Sequence, residues 1–149
     1  MARRFQVEVP IAAPPDAVRA WWTDVSDFES ADPKARPFRL VTLERRADGS
    51  RVLESHWRMM GRVVRMREVF FVAADGSWGF DTTGPFGIDV ADRFSVAPAP
   101  GGSVLRVSCA LSGRDLVGRL VLPFYVSSAR RQFTRQWREA AARCERDLA

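Results

Sequence analysis

From Ser127 to Leu148 the apolar residues Ala129, Phe133, Trp137, Ala140, Ala141, Cys144 and Leu148 recur at spacings of three and four, while Arg130, Arg131, Arg135, Arg138, Arg143, Glu145 and Arg146 fill the positions between. This pattern predicts an amphipathic helix beginning near Ser127 or Ser128, either of which can cap it. At about 1.5 Å per residue such a helix runs roughly 33 Å, the width of a small domain, so the preceding chain must cover its apolar stripe. Pro123 predicts a kink or break just before it.

What precedes it reads mostly as strands. Phe5, Val7, Val9 and Ile11 alternate with polar residues, which predicts an opening strand with one buried face. Pro14, Pro15 and Asp16 then suit the first turn of a short helix through Ala17, Val18, Ala20, Trp21 and Trp22, and Asp24 to Asp32 suggests a second very short helix or a turn. From Phe38 to Leu111 the period stays close to two, in runs at Phe38–Arg46, Arg51–Met60, Val63–Ala73, Trp78–Thr83, Phe86–Val96 and Ser103–Leu111. Asp48-Gly49, Gly61, Asp75-Gly76, Gly84-Pro85 and Pro98 to Gly102 separate them. Seven strands with connections this short require antiparallel pairing, and a single meandering sheet is the economical solution.

The 149 residues, 46% of them hydrophobic, fit one domain spanning 1–149 with one core. No apolar run reaches the roughly 18 residues of a membrane span, and the Met1-Ala2-Arg3-Arg4 start leads into a strand pattern instead of a leader, so a cytoplasmic location is expected. Cys109 and Cys144, lacking Cys-x-x-Cys spacing, are expected as buried free thiols. The net charge of +5 is nearly all arginine, dispersed among eighteen acidic residues and concentrated only on the outer face of the last helix. No aromatic-basic motif or recognition helix accompanies it, which argues against a nucleic-acid partner.

The string Val7-Glu8-Val9-Pro10-Ile11, then Ala13-Pro14-Pro15-Asp16-Ala17-Val18 and Trp21-Trp22-Thr23-Asp24-Val25, followed by six strands and a closing helix with Phe133 and Trp137, resembles the START and Bet v 1-like (SRPBCC) superfamily, in particular its bacterial polyketide cyclase/dehydrase and lipid-transport branch. The resemblance implies an α+β helix-grip fold, in which a seven-stranded curved antiparallel sheet wraps a long C-terminal helix under two short helices. It also implies a cavity between sheet and helix that takes lipids, sterols, polyketides or quinones, which a minority of members cyclise or dehydrate. The short turn Ala47 to Ser50 departs from the longer glycine-rich loop of the plant allergens in that superfamily.

Strand parity places Leu53, Ser55, Trp57, Met59, Val64, Met66, Phe70, Val72, Trp78, Phe80, Phe86, Ile88, Val90, Phe94, Val96, Leu105, Val107, Cys109 and Leu111 on the inner face. Of these, Trp57, Met59, Phe70, Trp78, Phe80, Phe86, Val90 and Phe94, with Tyr125, Phe133 and Trp137, are the candidate ligand contacts, although the same aromatics could fill a solid core. Glu68 and Asp92 share the inward parity, and a carboxylate among apolar side chains has its pKa raised toward that of a general acid or base. The alternative is that each pairs with an arginine such as Arg67, Arg93 or Arg106, or turns into water at a bulge.

His56, the only histidine, has the parity of the outer face, and Tyr125 is the only tyrosine, placed to donate a hydrogen bond at the cavity mouth or to pack at a helix start. The chain has no Gly-x-Ser-x-Gly, phosphate-binding loop or Gly-x-Gly-x-x-Gly, and neither metal nor cofactor is expected. Three functions stay open: carriage of a hydrophobic small molecule, a cyclase or dehydratase using Glu68 or Asp92, and a protein-interaction module. Monomer and homodimer are both compatible with the sequence.

Overall fold

The computed structural model describes residues 2–32, 34, 35 and 37–149. Strand β1 (Arg3–Ile11) leads into helix α1 (Pro15–Thr23), where Pro15 occupies the first turn and Asp16 pairs with Arg19 at 2.8 Å. The expected second short helix does not form. Asp27 instead accepts hydrogen bonds from the Thr42 amide and hydroxyl, at 2.8 and 2.5 Å, which holds the segment extended. Phe28–Glu29 becomes a short edge strand, β2.

Strands β3 (Arg39–Arg45), β4 (Arg51–Met59), β5 (Arg62–Val72), β6 (Trp78–Thr83), β7 (Ile88–Ala99) and β8 (Gly102–Gly113) complete a curved antiparallel sheet of eight strands instead of seven. Its order, β1-β8-β7-β6-β5-β4-β3-β2, is a meander from β2 to β8 with β1 returned beside β8. The chain therefore crosses from one sheet edge to the other through α1. A bulge between Thr42 and Glu44 pushes Leu43 out to solvent.

Phe86, expected to open a strand, sits instead on a 3-10 turn, Pro85–Gly87, with φ 59°. The Arg114 amide binds the Gly87 carbonyl at 2.7 Å and fastens this turn to the end of β8.

Helix α2 (Leu116–Leu148) is 33 residues long, so it starts eleven residues before Ser127 and is not ended by Pro123. Asp115 caps it by accepting the Gly118 amide at 2.8 Å, a stronger start signal than the serines. Pro123 and Arg119 both lie on the exposed side, where water can take the carbonyl bond that proline cannot make. The extra turns leave Leu116, Val117, Leu120 and Phe124 exposed.

The α2 stripe packs on β1 and β8 through buried Ala129, Trp137, Ala141 and Cys144, facing Leu105, Val107, Cys109 and Leu111. Both cysteines are buried free thiols. Among the described residues no helix is long and apolar enough to cross a membrane.

Candidate functional site

Against β1 and β8 the helix lies close; away from them the curving sheet leaves a cavity of about 910 Å³, bounded by β4 to β7, α1, α2 and the segment from Asp24 to Phe28. The meander register builds its floor in rows. One row runs Phe70, Phe80, Asp92, Cys109 and Phe5; the next runs Leu53, Glu68, Thr82, Val90 and Leu111. Each row therefore carries one carboxylate among apolar side chains.

Nine of the eleven predicted contacts line the cavity: Trp57, Met59, Phe80, Phe86, Val90 and Phe94 from the sheet side, and Tyr125, Phe133 and Trp137 from α2. Phe70 and Trp78 do not. Trp78 is 1% exposed, stacked on Phe94 at 5.7 Å and covered by Trp22, so it is core beneath the lining. Phe70 is buried beside Phe80, with Arg51 over its ring. Val72 keeps the predicted parity but is exposed at the end of β5. Phe86, 69% exposed, stands on the cavity rim.

Trp21, Trp22, Val25, Phe28, Thr82, Gln132 and Gln136 also line the cavity and are absent from the predicted contacts. Trp22 closes over Phe94 at 5.5 Å. The adjacent tryptophans of α1 are the available signal, since a helix of nine residues with two indoles has more apolar surface than its own length can hide.

Both carboxylates face the cavity. Burial, reinforced by the charge of Asp92, pushes Glu68 up to about 7, while the hydroxyls of Thr82 and Ser55 partly oppose the shift. Thr82 Oγ1 donates to Glu68 Oε1 at 3.4 Å, and Ser55 in turn accepts Trp57 Nε1 at 2.9 Å. Burial likewise raises Asp92 to about 6, against the Cys109 thiol and Arg93. Asp92 Oδ1 is buried without a hydrogen-bond partner among the described residues, as is Gln136 Nε2. Tyr125, inside α2 instead of at its start, has its phenol pKa raised by burial and by the nearby Cys109 sulfur.

Of the three arginines considered as partners, Arg67 is exposed and makes no ion pair with either carboxylate among the described residues, and the other two are engaged elsewhere. Arg93 pairs with Asp81 at 2.8 Å and lies over Phe71 on the outer face; Arg106 pairs with Glu8 at 3.0 Å. His56 is on the outer face, as its parity implies, with Nε2 2.7 Å from Glu54 Oε1 and its ring edge-on to Phe38. That contact lowers the Glu54 pKa and has no access to the cavity.

The family described as polyketide cyclase / dehydrase and lipid transport matches residues 2–145. Among solved structures, the Zhui aromatase/cyclase from Streptomyces sp. R1128 is similar with a TM-score of 0.67 and 16% identity, over 96% of this chain and 95% of that one. A START superfamily protein from Mycobacterium smegmatis gives 0.65 and 16%, over 95% and 97%. The protein TTHA0849 from Thermus thermophilus gives 0.64 and 13%, over 99% and 97%. At these identities the likeness establishes the fold. No curated protein matches the chain.

Proposed function

This chain belongs to the polyketide cyclase / dehydrase and lipid transport family, and we propose that it binds and carries a hydrophobic small molecule in the cavity between sheet and α2. The observation that carries the reading is a 910 Å³ space lined by Trp57, Phe80, Phe94, Phe133 and Trp137, an apolar volume within the range that small-molecule sites occupy. Aromatic walls supply contact area at little entropic cost, and the few polar groups orient what enters. The test is mass spectrometry of an organic extract of purified protein, together with binding of the neutral dye Nile red. A stoichiometric extracted ligand, or a saturable dye signal, is expected; no ligand and no dye binding would overturn the reading.

A second reading, a cyclase or dehydratase, is favoured by one observation: a cavity carboxyl whose pKa is raised to about 7 is matched to proton transfer at neutral pH. In that reading Glu68 moves the proton, with Asp92 as its neighbour. Neither Arg93 nor Arg106 is available to steady an enolate, so Tyr125 would serve as donor. Glu68→Gln and Asp92→Asn should then abolish turnover of a poly-β-ketone thioester while the fold persists; full activity in both variants would remove the reading.

A further inference from the structure

The charge of the cavity is opposite to that of the chain. Among the described lining residues the acidic and basic side chains are Asp24, Glu68, Asp92, Asp147 and Arg143, four acidic and one basic, in a protein whose formal net charge is +5. Arg143 lies over the Trp21 ring at 5.9 Å, eighteen residues along α2 from Tyr125, roughly 27 Å by helical rise. Asp24 and Asp147 have donors of their own, the Ser26 hydroxyl and the Trp21 indole. The two floor carboxylates are different. Glu68 has a long bond from the Thr82 hydroxyl with the Ser55 hydroxyl also acting on it, and Asp92 Oδ1 is buried, without a hydrogen-bond partner among the described residues, and set in the cavity lining. A buried acceptor left without a donor carries its full desolvation penalty, and a ligand that supplies the donor relieves it.

We propose that the ligand is an amphiphile bearing a protonated amine, which donates to Asp92 Oδ1 while its apolar body lies against the aromatic lining. This rests on the ligand-cavity reading above. Glu68, on a strand roughly 10 Å across the sheet from Asp92, adds a second negative centre to the same floor. Phe80 pairs with Asp92 across the sheet, and Phe94 packs edge-on to both Phe80 and Trp137, so aromatic rings near this carboxylate can attract a cation further through their quadrupoles. A carboxylate ligand meets the reverse field: it would be desolvated beside two groups of its own sign. The cavity thus discriminates among amphiphiles of equal shape by the sign of the head group.

The test uses three probes of one shape, 2-naphthylmethylamine, 2-naphthalenemethanol and 2-naphthoate, titrated by calorimetry into the full chain at pH 7.5. A charge-assisted hydrogen bond should make the amine about tenfold or more tighter than the alcohol, with naphthoate weakest. Asp92→Asn should remove the amine's advantage over the alcohol, and Glu68→Gln should reduce it, in variants whose circular dichroism matches that of the parent. Naphthoate binding as tightly as the amine, or equal binding of all three, would overturn the amine proposal while leaving the cavity reading intact. Failure of all three probes together with Nile red would overturn both. An amine preference that survives both substitutions would also overturn the assignment to this floor.

Discussion

Glu68 and Asp92 face one cavity from strands separated by β6, and neither forms an ion pair among the described residues. The nearest arginine along the chain from Asp92, Arg93, is turned through the sheet to Asp81. Two acids are thereby kept in a largely apolar space with hydroxyl, thiol, phenol and amide groups for company. That arrangement has consequences for stability as well as binding.

The first is a stability that falls as pH rises. Glu68 is raised from 4.5 to about 7 and Asp92 from 3.8 to about 6, so in the folded state both hold protons that the unfolded chain has already released above pH 5. Their contribution is fully present below the unfolded values and is lost as pH climbs through 6 and 7. Raising a pKa by one corresponds to about 1.4 kcal/mol, so a loss on the order of 3 kcal/mol is expected between pH 5 and pH 8. Urea midpoints measured across that range should fall, and the Glu68→Gln, Asp92→Asn double variant should flatten the slope. A midpoint rising toward pH 8 would contradict the burial of these groups.

A second prediction separates the cavity from the core. Ala140 lines the cavity from α2, where a larger side chain grows into open space. Ala140→Phe should weaken Nile red binding by about tenfold or more while shifting the melting temperature by less than about 3 °C, because filling a void avoids the overpacking penalty. Unchanged binding would place the ligand elsewhere.

A third contrast concerns two tryptophans that share a sequence parity. Trp78 is 1% exposed, stacked on Phe94 and packed at a tilt against Trp22, whereas Trp57 lines the cavity and is only half-buried. Trp78→Ala should cost about 3–5 kcal/mol in a urea titration through cavity creation in packed surroundings. Trp57→Ala should cost less and instead weaken ligand binding. Equal stability losses would show that Trp57 is core as well.

Much of this is legible in the sequence because alternation fixes which side of a strand faces inward: parity alone puts Glu68, Asp92, Phe80 and Phe94 on the side that faces α2. Parity does not report depth. Trp78 and Phe70 have the same parity as the lining residues, yet they are buried under neighbours from α1, β4 and β6, and only the tertiary packing distinguishes them. The start of α2 is misread from sequence because Pro123 and the two serines are strong local signals, while the winning cap, Asp115, acts through a single bond to Gly118. β2 owes its extended form to Asp27 and Thr42, fifteen residues apart, a contact that no local pattern announces.

The docking of the Phe86 turn on α2 yields the last prediction. A Cβ built on Gly118 would overlap the Gly87 carbonyl oxygen and lie 2.6 Å from its carbon, and both are backbone atoms that no rotamer change can move. Helix propensity alone would make Gly118→Ala stabilising by about 1 kcal/mol, so the sign of the effect decides whether the turn is packed as described. Overlap with backbone should outweigh propensity and destabilise the protein by on the order of 2 kcal/mol, seen as a lower melting temperature. Phe86 rides on the displaced turn at the cavity rim, so Nile red affinity should fall in the same variant, even at temperatures well below melting. In Asp115→Ala the loss of the cap should cost about 1 kcal/mol with the turn still free to dock, leaving affinity nearly intact. A raised melting temperature for Gly118→Ala would mean that α2 and the turn are not in contact, and the rim residue would then have no fixed position.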